Sequence, residues 1–131
     1  MKIKCIKLLN SDGHAVDSSP WLKIDQIYSV FGVSIDSDGR RSYQIVSDEK
    51  APAFVSMAYH SAECFEIIST LIPSSWRLKI KNTGAINVAP EAWQAPGFLE
   101  NFYDQDPAAY SIFERERDLM LREEKGNKDE K

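Results

Sequence analysis

The stretch WRLKIKNTGAINV, Trp76 to Val88, constrains the fold more than any other part of this sequence. Its first half alternates, with Trp76, Leu78 and Ile80 apolar and Arg77, Lys79 and Lys81 basic. Successive side chains of a strand point to opposite faces, so this is the period of a strand with one face covered and one wet. Asn82-Thr83-Gly84 then forms a three-residue hairpin loop, with glycine where the left-handed conformation is needed. Ile86 and Val88 resume the apolar face on the return strand. The spacing predicts a β-hairpin with Trp76, Leu78 and Ile80 toward the core and Arg77, Lys79 and Lys81 in solvent.

The residues before the hairpin also read as β. KIKC alternates, and its phase slips at Ile6 and Leu8, as at a bulge or where both faces are covered. Asn10 to Pro20 is a polar loop. QIYSVFGVSI predicts one long strand with Ile27, Phe31, Val33 and Ile35 on one side, and Gly32 marks a bend or the close approach of another strand. Asp36 to Arg40 is a turn, since Gly39 accepts positive φ. RSYQIVSD is the return strand, and PAFVSM and CFEIIS are two further short strands.

After Pro90 the period changes. Pro90 opens a short helix that Pro96 ends. FLENFY sets Phe98 and Phe102 four residues apart, as on one helical face. Asp106 caps the main helix, and Pro107 takes the first helical position, where its missing N–H costs nothing. Ala109, Ile112, Phe113 and Met120 share a face of it. The fold class is therefore α+β: a small curved antiparallel sheet or a Src-homology-3-like barrel plus a β-hairpin, with C-terminal helices packed on it. Residues 1–131 form one domain, mainly β over 1–89 and helical over 90–124, with a disordered, solvated tail over 125–131.

Apolar residues make up 43% of the chain, enough for an ordinary core without staples. Cys5 and Cys64 suit a reducing compartment, with a single bridge as the alternative. Both are expected to be reduced and free of metal. No apolar run has the length of a membrane span, and the N-terminus lacks the apolar core of a signal peptide, so a cytoplasmic protein is expected, with no membrane partner.

A catalytic reading fails for want of parts. His14 lies in a polar loop. His60 and Cys64 would meet on one helical turn, but they supply two ligands where a structural zinc site wants four. Phosphate loops, paired catalytic carboxylates and HExxH are absent. The expectation is no catalytic residue, no cofactor and no metal: not an enzyme. The basic residues Arg77, Lys79 and Lys81, with Lys2, Lys4 and Lys7 of the first strand, would be the nucleic-acid face if there were one. Alternating basic residues are also how a strand edge is kept from aggregating, and nucleic acid is not the expected partner.

Charge is unevenly spread. Residues 1–90 carry ten Lys and Arg against nine Asp and Glu, and residues 91–131 carry six against eleven. The acidity centres on EAWQAPGFLENFYDQDP, which interleaves Trp93, Phe98, Phe102 and Tyr103 with Glu91, Glu100, Asp104 and Asp106. The rings read as core. Asp106 has its cap to make, and Glu91 suits the first turn after Pro90. Glu100 and Asp104 have no local structural use. The choice for them lies between a plain solvated face and a binding surface with Tyr103 as anchor.

SPWL, IDQIYSV, YQIVSD, CFEIIS, SSWRLKI and APEAWQAPGFLENFYDQDPAAYSIFERE together resemble a group of small bacterial immunity proteins of polymorphic toxin systems, of the contact-dependent growth inhibition type. The resemblance runs from Pro20 to about Met120 and is most specific from Pro90 to Glu116. Where relatives often carry a second tryptophan after Gly-Phe, this chain has Leu99. The resemblance implies a protein without catalytic activity that binds and neutralises a cognate toxin domain. Many such toxins are nucleases with a basic groove, which carboxylates at Glu100 and Asp104, beside Tyr103, would block. The alternative is a small β-barrel module that binds nucleic acid or peptide.

Overall fold

The computed structural model describes residues 1–19, 21–46 and 57–129. Among the described residues, eight strands form two antiparallel sheets: β1 (Lys2–Cys5), β2 (Ile27–Ser29), β3 (Gly32–Ile35), β4 (Arg41–Val46), β5 (Met57–Ser61), β6 (Phe65–Ser69), β7 (Trp76–Ile80) and β8 (Ile86–Pro90). The small sheet runs β2-β1-β6 and the large one β5-β4-β3-β8-β7. Two helices follow, α1 (Phe98–Tyr103) and α2 (Pro107–Asp129). The α+β class stands, and the sheets are open rather than closed into a barrel. Of the PAFVSM strand only Met57 is described, as the first residue of β5; the rest lies outside the described residues.

The predicted long strand 27–35 is two strands, one in each sheet. The break falls at Val30 and Phe31, both buried. The Val30 N–H donates to the Met1 carbonyl at 2.9 Å and the Phe31 N–H to that of Gln44 at 2.8 Å. Adjacent amides thus bond to different sheets, and the chain turns a corner between them. The predicted apolar side fails with it: Ile27 is exposed while Tyr28 is buried. After β1, the N–H groups of Ile6 and Lys7 both point at the Cys64 carbonyl, at 2.8 and 3.4 Å. Two donors on one acceptor is bulge-like geometry, and it accounts for the slip in phase.

The turns form as their residues require. Gly39 has φ 90° and Gly84 φ 89°. The Lys81 N–H closes the hairpin on the Ala85 carbonyl at 2.8 Å. Gly32 is a close approach. A Cβ there would stand 3.2 Å from the Val88 carbonyl oxygen and 3.3 Å from the Ala89 Cβ.

Pro90 leads into a 3-10 turn, Glu91–Gln94, ahead of α1. Asp106 Oδ1 accepts the Ala108 N–H at 3.0 Å, which is the expected cap with Pro107 opening the helix. Helical backbone continues to Asp129, past Lys125 where a tail was expected. The aromatic segment is core. Trp93 stacks on Phe98 and Phe113 at 6.2 and 5.3 Å between ring centroids, and Phe102 meets Phe113 at 4.9 Å. Each such ring, fully buried, contributes about 1.5–3 kcal/mol.

α2 ties the two sheets together. The Trp76 indole N–H reaches the Met120 sulfur at 3.2 Å, and Glu124 accepts from the Ser29 hydroxyl at 3.2 Å and the Met1 amino group at 3.1 Å. That cover stops at Trp76. Leu78 and Ile80, predicted to face the core, are 59% and 69% exposed. They do share a face with Trp76, but β7 is an edge strand and nothing described lies over its far end.

Candidate functional site

The residues singled out for binding, Glu100, Tyr103 and Asp104, lie on and just after α1. This helix is pinned from beneath by Phe98 and Phe102, which are 5% and 0% exposed. Its outward side carries Leu99 and Tyr103 one turn apart, beside Glu100 and Asp104 one turn apart. Asp104 terminates the helix, its N–H donating to the Glu100 carbonyl at 2.9 Å. The next residue, Gln105, takes φ 63° and turns the chain toward α2.

Tyr103 has a structural share in the fold. Its hydroxyl donates to the Met57 carbonyl, tying α1 to β5, while its ring sits edge-on to Phe102 at 5.4 Å. Burial pushes the phenol upward, and burial followed by Tyr103's proximity does the same for Tyr59. Both therefore stay neutral at physiological pH. Tyr103 is still 55% exposed, so one edge of the ring remains available.

The carboxylates of the acidic third differ in their partners, Asp106 capping α2 and Glu91 entering no ion pair among the described residues. Five carboxylates of α2 are engaged: Glu124 as above, Glu123 with the Ser74 N–H at 3.1 Å, and Glu114, Glu116 and Asp118 with arginines of their own helix. Among the described residues, Glu100 and Asp104 enter no ion pair and accept no side-chain hydrogen bond. They were expected to have no local structural use, but Glu100 falls in the first turn of α1, where the helix dipole favours an acid, and Asp104 is the C-cap of that helix.

Beside α1 lies a cleft of about 420 Å³ that sequence reasoning missed. Gln44, Tyr59 and Ala89 of the large sheet line it, with Gln94, Leu99 and Glu100 from the 3-10 turn and α1 and Lys79 and Lys81 from β7 and its hairpin loop. Gln94 donates to the carbonyls of Arg77 at 2.8 Å and Ala89 at 3.1 Å. Lys79 and Lys81 enter no ion pair among the described residues. Carboxylate and ammonium groups thus border one depression, and the surface around Glu100 is mixed in charge rather than purely acidic. Nothing local in the sequence pairs Lys79 with Glu100, because the sheet order and the 3-10 turn bring them to the same place.

The basic residues do not assemble into one face. Lys2, Lys4 and Lys7 belong to the small sheet or its extension, and two of them are paired, Lys4 with Asp25 at 3.9 Å and Lys7 with Glu63 at 3.1 Å. Arg77, Lys79 and Lys81 belong to the edge of the large sheet. Cys5 and Cys64 are buried free thiols, and burial raises both above the ordinary range. His60 lies on β5 and Cys64 ends a 3-10 turn, so the single helical turn expected to join them does not form. Among the described residues, no group of three or more His, Cys, Asp and Glu is placed to hold a metal, and no helix is long and apolar enough to cross a membrane.

His60 supplies a pH dependence. Burial pushes its imidazole below the ordinary value, and its buried Nε2 has no hydrogen-bond partner among the described residues. The unfolded chain takes up this proton as pH falls through about 6.5, and the folded chain does so only at lower pH. The stability that neutral His60 confers is full above that value and declines below it. The drop in melting temperature from about pH 7 to about pH 5 is expected to be smaller in His60→Gln than in the parent. Equal drops would show that His60 does not carry it.

Compared with models of protein families, with curated proteins and with solved structures, the chain matches none.

Proposed function

We propose that this chain is an immunity protein, a non-catalytic cytoplasmic inhibitor that binds a cognate bacterial toxin domain. Glu100 and Asp104 would face a basic groove, as on a nuclease, with Tyr103 packing between them. The observation that carries the reading is the pair of exposed carboxylates one turn apart, Glu100 on α1 and Asp104 at its C-cap, which enter no ion pair among the described residues, over a helix held by buried rings. A surface already rigid binds without a large ordering cost. Unpaired charge on it speeds encounter with an oppositely charged groove. The resemblance of Pro90 to Glu116 to immunity proteins supports the same reading.

The test is Glu100→Lys combined with Asp104→Lys. Both residues are exposed, so the melt is expected to move little, by about half a kcal/mol or less. Affinity for the toxin domain encoded beside it is expected to fall about tenfold or more, about 1.4 kcal/mol per factor of ten. The loss should shrink at high salt, where charges outside the contact are screened. Titration at two salt concentrations reads both. An unchanged melt with unchanged affinity and association rate excludes this surface.

A further inference from the structure

We infer that the open edge of β7 is a docking site for an extended strand of a partner protein, one whose residues alternate between acidic and aliphatic. The pairing of β7 with β8 fixes which backbone groups are spent. The Lys81 N–H bonds to Ala85 and the Glu91 N–H to Ser75, at 2.8 and 3.2 Å. In an antiparallel ladder hydrogen-bonded pairs alternate with non-bonded ones, so residues 77 and 79 also turn their backbone groups toward β8. Leu78 and Ile80 therefore turn theirs outward. The Trp76 end of the edge is closed: its N–H goes to Pro73 at 3.2 Å, and the Arg77 guanidinium takes its carbonyl at 2.8 Å. Among the described residues, no hydrogen bond reaches the N–H or carbonyl of Leu78 or Ile80.

The side chains match that opening. Leu78, Val88 and Val33 form one aliphatic row across three strands, and Ile80, Ile86 and Ile35 form the next. All six are exposed or half-buried. A ninth strand would lengthen both rows with its aliphatic residues. Its other residues would fall opposite Arg77, Lys79 and Lys81. That rules out a second copy of this edge. Two β7 strands paired antiparallel about Leu78 would set Arg77 opposite Lys79, and like charges directly opposite destabilise a pair. Basic residues on an edge ordinarily prevent self-pairing, and they leave an acidic strand as the fitting occupant. A nucleic acid would want stacking rings, and the one aromatic of β7, Trp76, is 6% exposed.

The proposal is independent of the α1 surface, and its test separates the two. The probe is an eight-residue peptide alternating glutamate and valine, at up to about 1 mM, the range of weak binding. Amide hydrogen exchange at Leu78 and Ile80 is expected to slow at least about tenfold, and exchange on α1 to stay unchanged. Leu78→Pro removes an outward donor without breaking a ladder bond. It is expected to abolish the protection while circular dichroism shows a folded chain. Lys79→Glu, which keeps the backbone, is expected to weaken it. No protection at the highest peptide concentration overturns the proposal. So does equal protection by a peptide alternating lysine and valine, or by a scrambled one. Protection that grows with protein concentration alone would mean a second copy occupies the edge, and protection by a single-stranded oligonucleotide but not by the peptide would mean nucleic acid does. Either result refutes the acidic strand.

Discussion

Phe102→Ala is expected to lower the unfolding free energy by about 3–5 kcal/mol. Phe102 is fully buried, on a six-residue helix that has little stability of its own. Its ring lies 4.9 Å from Phe113, 6.2 Å from Phe98 and 5.4 Å from Tyr103, so it joins α1 to α2. Removing it takes away the transfer energy of a phenyl group and leaves a cavity that rigid neighbouring rings cannot fill. A domain of this size is stable by only about 5–15 kcal/mol, so the melting temperature should fall by roughly 10–20 °C. Leu99→Ala, on the outward side of the same helix, is the control and should cost far less. Urea denaturation of both variants measures the difference. A loss below about 1 kcal/mol for Phe102→Ala would mean that the aromatic cluster does not hold α1.

Gly32→Val is expected to cost about 1–3 kcal/mol by overpacking. Gly32 is buried at the start of β3, between β4 and β8. A Cβ would stand 2.7 Å from the Gln44 Oε1, 3.2 Å from the Val88 carbonyl oxygen and 3.3 Å from the Ala89 Cβ. The glutamine side chain can turn aside, but the Val88 carbonyl belongs to a strand paired on both sides and cannot. Gly32→Ala should be milder, because the gain in backbone stiffness offsets part of the clash. Gln44 and Ala89 also line the cleft beside α1, so the valine variant should distort that cleft as well as destabilise the sheet. A Gly32→Val midpoint in urea equal to or above the parent's would show that the strands part there at no cost.

What the sequence determined by itself is what neighbours along the chain decide. The turn at Asp36 to Arg40 and the loop at Asn82 to Gly84 follow from glycines at φ 90° and 89°. The start of α2 follows from a capping carboxylate one residue before a proline. The burial of Phe98 and Phe102 follows from a four-residue spacing. Tertiary structure alone decided the rest. A period of two says that Trp76, Leu78 and Ile80 share a face, but not whether anything lies on it. Met120 of α2 reaches Trp76 and goes no further, and the strand order leaves β7 at the edge, so Leu78 and Ile80 are open. Likewise the run from Ile27 to Ile35 has the composition of one strand. It becomes two because Val30 and Phe31 find hydrogen-bond partners in different sheets, a matter of residues far along the chain that no local pattern records.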